Sequence, residues 1–203
     1  MIYRYLLLLS MLAWTSSNAQ AVGFGANLGL GSEAWKHESS TRENRGFLSQ
    51  GFVFDGYISG ERPVNYQVIV GLERNAPYKD GLVMSGYMMT HAVGLWTLSR
   101  NDYRLWTGLQ LKAVHYNSLE DDSDNQYRGT INGMGIGPAV GYKLNMGRLL
   151  TLGLSGGLQV MGYRSNYRAS NSEGYTGSSS TTANAITGYF NLSILFRVHH
   201  HDY

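Results

Sequence analysis

The sequence predicts an all-β fold, an eight-stranded antiparallel up-and-down transmembrane β-barrel. Apolar and polar residues alternate with a period of two in about eight segments, which is the signature of strands with two different faces. The polar face is built from Gly, Asn, Ser, Thr and Gln and carries very little charge. The connections alternate between short turns and long polar stretches. Together these three observations indicate a wall between lipid and a polar interior.

The chain begins with a predicted signal peptide over residues 1–21. Arg4 precedes an apolar run from Tyr5 to Trp14, and small residues lead to an Ala19-x-Ala21 cleavage pattern. The alternative is an uncleaved anchor, but the apolar run is about half of the roughly 20 residues that a membrane-spanning helix requires. We therefore expect the barrel domain to occupy residues 22–203.

Eight strands are predicted in the mature chain. In the first, Phe24 and Leu28 lie opposite glycines and Asn27, and in the second Phe52 lies opposite Asp55. The third alternates in the same way, whereas the fourth is apolar on both parities and its faces cannot be assigned. The predicted strands lie near 22–31, 48–58, 64–73, 83–98, 103–116, 130–144, 149–163 and 185–198.

The second half of the chain repeats the pattern. Leu109 opposes Lys112 in the fifth strand, the sixth alternates large residues with glycine, and leucines alternate with small polar residues in the seventh. The eighth places apolar residues on one face and Asn191, Ser193 and Arg197 on the other. Its apolar face consists of Phe190, Leu192, Ile194, Phe196 and Val198.

The lengths of the connections predict the topology. Short turns rich in Gly, Pro, Asn, Asp and Ser lie at 59–63, 99–102 and 145–148. Longer connections are predicted at 32–47, 74–82, 117–129 and 164–184. Short turns on one rim and long loops on the other are typical of bacterial outer-membrane barrels. Closure leaves no strand edge unpaired in hydrocarbon.

The positions of the charged residues favour a membrane barrel over a soluble one. The strands contain six charged residues, and all of them lie opposite the apolar face: Asp55, Glu73, Arg104, Lys112, Lys143 and Arg197. A soluble barrel would carry charge on its outer face. The chain has no cysteine and a formal net charge of +2, so disulfides are excluded and the charge indicates no nucleic-acid partner.

At this point the chain resembles a known family. The segment Gly133–Tyr142, the glycine-rich first strand and the aromatic-ended last strand are similar to the small outer-membrane β-barrel superfamily of Gram-negative bacteria, the OmpX and OmpA transmembrane-domain type. The resemblance implies location in the bacterial outer membrane and insertion by the barrel-assembly machinery, which reads a C-terminal aromatic residue. In this chain the signal residue is either Tyr203, with the last strand running further than predicted, or Phe196. The choice is open because His199–His201 follow the last predicted strand.

The sequence offers three sets of candidate site residues and no cofactor. A candidate catalytic set lies at the outer end of the fifth strand: His115, Ser118 and Glu120. A candidate metal or lipopolysaccharide-bridging set follows it: Glu120, Asp121, Asp122 and Asp124. A third set consists of polar residues that we expect in the lumen, where we assign them a structural role ahead of a binding role. They are Asp55, Glu73, Arg104, Gln110, Lys112, Lys143, Gln159 and Arg197. Within this set we expect Glu73, Lys112 and Gln159 to form one network.

We predict a non-enzymatic outer-membrane protein that acts in surface interaction or envelope integrity through four external loops. Its expected partners are membrane lipid, lipopolysaccharide and an extracellular ligand or host surface. Loop one mixes charges around Trp35, which suits a protein contact, and loop four, with Ser178–Thr182, is expected to be mobile. The alternatives are a lipid-A-modifying enzyme, as some members of the family are, and a narrow solute pore.

Overall fold

Eight antiparallel strands close into a barrel in the computed structural model of the protein. The structure describes residues 21–37, 42–58, 63–77, 83–100, 102–122, 125–171 and 176–200. Each strand pairs with the next, and the last pairs with the first. The strands are β1 (Ala21–His37), β2 (Arg42–Ile58), β3 (Val64–Pro77), β4 (Met84–Ser99), β5 (Tyr103–Asp122), β6 (Asn125–Met146), β7 (Leu150–Asn171) and β8 (Thr176–His200). Within these ranges no helix is long and apolar enough to cross a membrane.

The fold class predicted from the sequence is confirmed, and the strands are longer than predicted at one rim. At the short-turn rim every strand end agrees with the prediction to within two residues. At the opposite rim every strand except β4 continues into a segment predicted as a loop, because the alternation persists there in polar residues. Ser178–Thr182, expected to be mobile, belong to β8 and pair with β7. The predicted signal peptide lies outside the described residues apart from Ala21.

The register of the strands fixes the tilt of the barrel. A row of paired residues that starts at Asn27 on β1 and passes through every strand returns to β1 at His37, ten residues further along. Such a stagger in eight strands corresponds to a tilt of about 40° from the barrel axis. A row therefore climbs toward the long-strand rim as it passes from β1 through β4.

The outer face of the barrel is a continuous apolar band. The predicted faces of β8 are confirmed, because Phe190, Ile194 and Phe196 are exposed while Asn191 and Ser193 are buried in the interior. Aromatic side chains lie near the short-turn rim of this band, where a membrane interface would fall. They include Trp96, Phe196 and the stacked pair Tyr103 and Tyr142.

Glycines on the inner face make room for large side chains in the bore. Trp106 is completely buried and packs over Gly141, its register partner on β6, where a Cβ atom would collide with the indole ring. Tyr163 covers Gly133 in the same way. These close approaches explain why glycine occupies the inner parity of β6, since an eight-stranded bore is just wide enough for its own side chains.

The structure orients the fourth strand, which the sequence left unassigned. Met84, Met88 and Ala92 face the interior, so an apolar inner face lies opposite an apolar outer face. The register also shifts between Gly94 and Trp96. This irregularity reverses the parity, which is why no single two-residue pattern fits the whole segment.

Candidate functional site

A fully buried carboxylate organises the interior near the long-strand rim. Glu33 on β1 has no exposed surface. Its Oε2 accepts hydrogen bonds from Trp35 Nε1 at 2.7 Å and Asn75 Nδ2 at 2.6 Å. Its Oε1 accepts from the hydroxyls of Tyr163 at 2.7 Å and Thr187 at 3.2 Å. Four strands thus contribute to one site, which we call the Glu33 cluster.

A second carboxylate next to this cluster is ion-paired. Glu73 on β3 accepts from Lys112 Nζ, with a shortest separation of 2.8 Å, and from the hydroxyl of Tyr116. The ammonium also lies 4.2 Å from the centre of the Phe47 ring. All of these side chains are buried, and the pairing satisfies charges that would otherwise be costly inside the barrel.

A third polar group lies toward the short-turn rim. Asp55 on β2 pairs with Lys143 and lies 3.6 Å from Arg104 Nη1. Both cations also donate to Asn65 Oδ1, Lys143 at 2.7 Å and Arg104 at 3.4 Å. The Arg104 guanidinium stacks 3.8 Å from the centre of the Tyr57 ring. The two ends of the bore are therefore held by ion pairs, with apolar side chains such as Trp106 and Met161 buried in the interior.

The remaining predicted lumen residues take different partners. Gln110 is buried and accepts a hydrogen bond from Tyr189 at 2.7 Å. Gln159 is buried as well, but neither atom of its amide has a hydrogen-bond partner among the described residues, so the expected link to Glu73 and Lys112 is not present. Arg197 donates to the main-chain carbonyls of Gly147 and Leu150 rather than to a carboxylate.

The interior position of the Glu33 cluster corrects the interpretation of loop one. Trp35, Glu33 and Arg45, expected on an external loop, are buried inside the barrel, where Trp35 stacks on Tyr163 at 4.0 Å. The signal was present in the sequence, because Glu33 and Trp35 continue the inner parity of β1. Among the charged residues of this segment whose side chains the structure describes, Lys36 faces outward, as the same alternation requires.

The catalytic and metal candidates lie at the outer end of β5. His115 Nδ1 is 2.8 Å from Asn132 Oδ1, and this pair is exposed on the outer face. The main chain of β5 continues through Ser118 and Glu120, so these residues belong to the strand rather than to a loop. The side chains of Ser118, Glu120, Asp121 and Asp122, and all of Asp124, lie outside the described part, as do the side chains of the histidine tail. Within the described part, no three metal-ligating side chains are grouped.

Strands β5 to β8 extend beyond their neighbours and form a small sheet. Pairing of β4 with β5 ends at Ser85 and Asn117, and pairing of β1 with β8 ends at His37 and Ala183. Beyond these points the sheet continues in 118–122, 125–130, 166–171 and 176–181. We call it the outer sheet. Among the described residues its β8 edge, Thr176–Thr181, pairs with β7 only.

The fold defines the class of the protein. A closed barrel with an apolar outer band, a filled polar bore and ion pairs turned inward is an integral outer-membrane β-barrel protein. The chain lies in the bacterial outer membrane. Barrels of this class turn their short connections to the periplasm and their longer ones to the outside, so we expect the outer sheet to lie outside the cell.

Comparison with known proteins gives distant likenesses of shape. No family model matches the sequence, and no curated protein matches it either. Among solved structures the chain is similar to the translocator domain of the autotransporter NalP from Neisseria meningitidis, with 10% identity, a TM-score of 0.43 and 96% of each chain covered. It is also similar to the outer-membrane protease OmpT from Escherichia coli, with 7% identity and a TM-score of 0.26, covering 87% of this chain and 95% of that one.

Proposed function

We propose that this protein is a non-enzymatic cell-surface interaction protein of the OmpX or OmpA transmembrane-domain type, and that it binds its partner through the outer sheet. The β8 edge of that sheet supports the proposal. A strand edge presents a row of main-chain N–H and C=O groups, and an extended segment of another protein can add to it as a further strand. The long-strand rim faces outward, so the edge lies on the side where an extracellular partner would arrive.

The composition of the edge suits such a contact. Residues 177–181 are exposed and consist of glycine, serine and threonine. None of these residues is a lysine or a proline, the residues that proteins often use to block an open strand edge. The six residues of the edge, Thr176–Thr181, rise about 15 Å along the barrel axis, given the strand rise and the tilt. The edge therefore projects beyond the point where β1 stops pairing with β8.

The test places charge on the edge. We expect bacteria that express the double variant Ser178→Lys with Ser180→Lys to lose adhesion to epithelial cells down to the level of cells without the protein. The matched control is Asn166→Lys, an exposed residue that pairs with Ser180 but lies inside the outer sheet, and it should adhere like the wild type. Equal adhesion of all three proteins would contradict the proposal.

A second measurement separates this proposal from the enzymatic alternative. His115 has an amide oxygen of Asn132 as its described side-chain partner, which supplies neither a nucleophile nor a carboxylate. We expect mass spectrometry to find the same lipid A acylation in cells with and without the protein. A changed acyl pattern would show lipid-modifying activity and would overturn the non-enzymatic assignment.

A further inference from the structure

The outward charges of the strands all have the same sign. Among the described side chains, the outward faces of the strands carry four charges, Lys36, Arg74, Arg164 and Arg168, and no carboxylate. Lys36, Arg74 and Arg164 lie just beyond the apolar band at the long-strand rim, whereas Arg168 lies higher, in the outer sheet, where it pairs with Ser178. Inside the barrel, by contrast, cations and carboxylates are mixed and paired. The membrane face of this rim is therefore positively charged, and it is complementary to anionic groups in the outer leaflet.

One of these cations stands at the end of an apolar groove. The groove has a volume of about 640 Å³ and runs across the outer surface of β8, β1, β2, β3 and β4. Its apolar part is lined by six leucine and phenylalanine side chains, Leu28, Leu30, Leu48, Leu72, Phe190 and Leu192. Residues of the inner parity on the same strands border it as well, and these are Gly29, Ser49, Glu73 and Gly86. Arg74 and Ser85 line it as register partners on β3 and β4. Because rows climb from β1 to β4, this polar end lies nearest the headgroups.

Two polar side chains in the groove, Gln50 and Arg74, have no hydrogen-bond or ion-pair partner among the residues that the structure describes. Gln50 is exposed among leucines, since Leu28 and Leu72 flank it in the register on either side. An amide on a lipid-facing surface is costly unless it forms a hydrogen bond. Arg74 is exposed as well, and none of the described ion pairs or hydrogen bonds involves it. A cation at the end of an apolar groove and an amide among the leucines below it match a lipid with a phosphate and a carbonyl.

We propose that this groove is a binding site for a phosphorylated glycolipid of the outer leaflet, lipid A being the chemical class. An acyl chain would lie along Leu28, Leu48 and Leu72, and a phosphate would pair with Arg74. Gln50 would donate to a carbonyl at the base of the acyl chain. The guanidinium is well suited to this role, because its planar donors bind two phosphate oxygens at once.

The site can be tested on the full-length mature protein in mild detergent by native mass spectrometry. The added lipids are bisphosphorylated lipid A, the same lipid A without phosphates, and phosphatidylglycerol. We expect Arg74→Gln to lower the retained lipid A about tenfold, the loss typical of one charge-assisted contact. Arg168→Gln, the same change on the same face but outside the groove, should retain lipid A within about twofold of the wild type.

A second variant tests the apolar part of the site. Leu48→Trp should fill the groove and lower retention, whereas Val160→Trp on the outer face of β7 should not. A gel-mobility shift between unheated and boiled samples shows that each variant is folded. Equal retention by Arg74→Gln and Arg168→Gln would overturn the proposal, as would equal retention of lipid A with and without phosphates. Preferred binding of phosphatidylglycerol, or dimer formation through the groove, would overturn the assigned occupant.

Discussion

The Glu33 cluster makes a quantitative prediction about stability. In Glu33→Ala, four buried donors lose their acceptor: Trp35 Nε1, Asn75 Nδ2 and the hydroxyls of Tyr163 and Thr187. A buried donor left without a partner costs about 1–3 kcal/mol. At the low end of that range, which allows for water entering the space, the free energy of unfolding falls by about 4 kcal/mol.

Glu33→Gln should lower the free energy of unfolding less than Glu33→Ala, because the donors at Oε1 differ from those at Oε2. The amide oxygen can take the place of Oε2 and accept from Trp35 and Asn75, which are donors only in this geometry. The amide nitrogen then faces Tyr163 and Thr187, whose hydroxyls can rotate and accept. Only the charge is lost, so we expect the free energy of unfolding to fall by about 1 kcal/mol.

The assay is urea unfolding of the protein folded into lipid vesicles, followed by tryptophan fluorescence. Trp35 donates directly to the carboxylate, so the emission that is lost in Trp35→Phe reports the cluster itself, while Trp96 and Trp106 report the rest of the barrel. Lys36→Ala, which alters an outward side chain of the same strand, serves as the control and should change stability by less than about 0.5 kcal/mol. The reasoning fails if Glu33→Ala unfolds within 1 kcal/mol of the wild type, or if the glutamine variant loses as much stability as the alanine variant.

Further predictions concern the rest of the barrel. Lys143→Met removes the ammonium partner of the buried Asp55 carboxylate and leaves only Arg104, 3.6 Å away, so it should cost about 3 kcal/mol in urea unfolding, the low end of the range for a broken buried pair. Adding Asp55→Asn to that variant should recover part of the loss, and a double variant no more stable than the single one would argue against the pairing. Gly141→Ala places a methyl group against the Trp106 ring, so the folded band on unheated gels should disappear at a lower temperature than in the wild type. Gly147→Ala, at a turn position with φ of 74°, should cost about 1 kcal/mol without altering that band at room temperature.

Local patterns predict the faces of this barrel better than its contacts. The alternation in 185–198 assigns lipid-facing and interior residues correctly, because a strand with one apolar and one polar face has only one orientation in a membrane. The same reasoning cannot assign the faces of β4. Met84 and Met88 make its inner face apolar, and the register shift after Gly94 reverses its parity.

In the candidate site, the sequence predicts which residues face the interior but not which of them contact each other. The sequence indicated that the strand charges face inward, yet which carboxylate meets which cation depends on register across several strands. The sequence predicts a loop around Glu33 because charged and polar residues surround it. Its partners Tyr163 and Thr187 lie 130 and 154 residues further along the chain, and nothing local connects them. Long-range side-chain contacts of this kind need the closed ring before they can be identified.

The same long sequence separations indicate when the Glu33 cluster forms during folding. The ring closes where β1 meets β8, the pairing with the largest sequence separation in the barrel, and contacts between distant segments form late because a long chain must first be ordered. Glu33 and Thr187 lie on the two strands of this junction and are register partners. The carboxylate therefore acquires its full set of donors only in the final assembly step. A change in the emission of Trp35 during folding would therefore report the time at which the barrel closes.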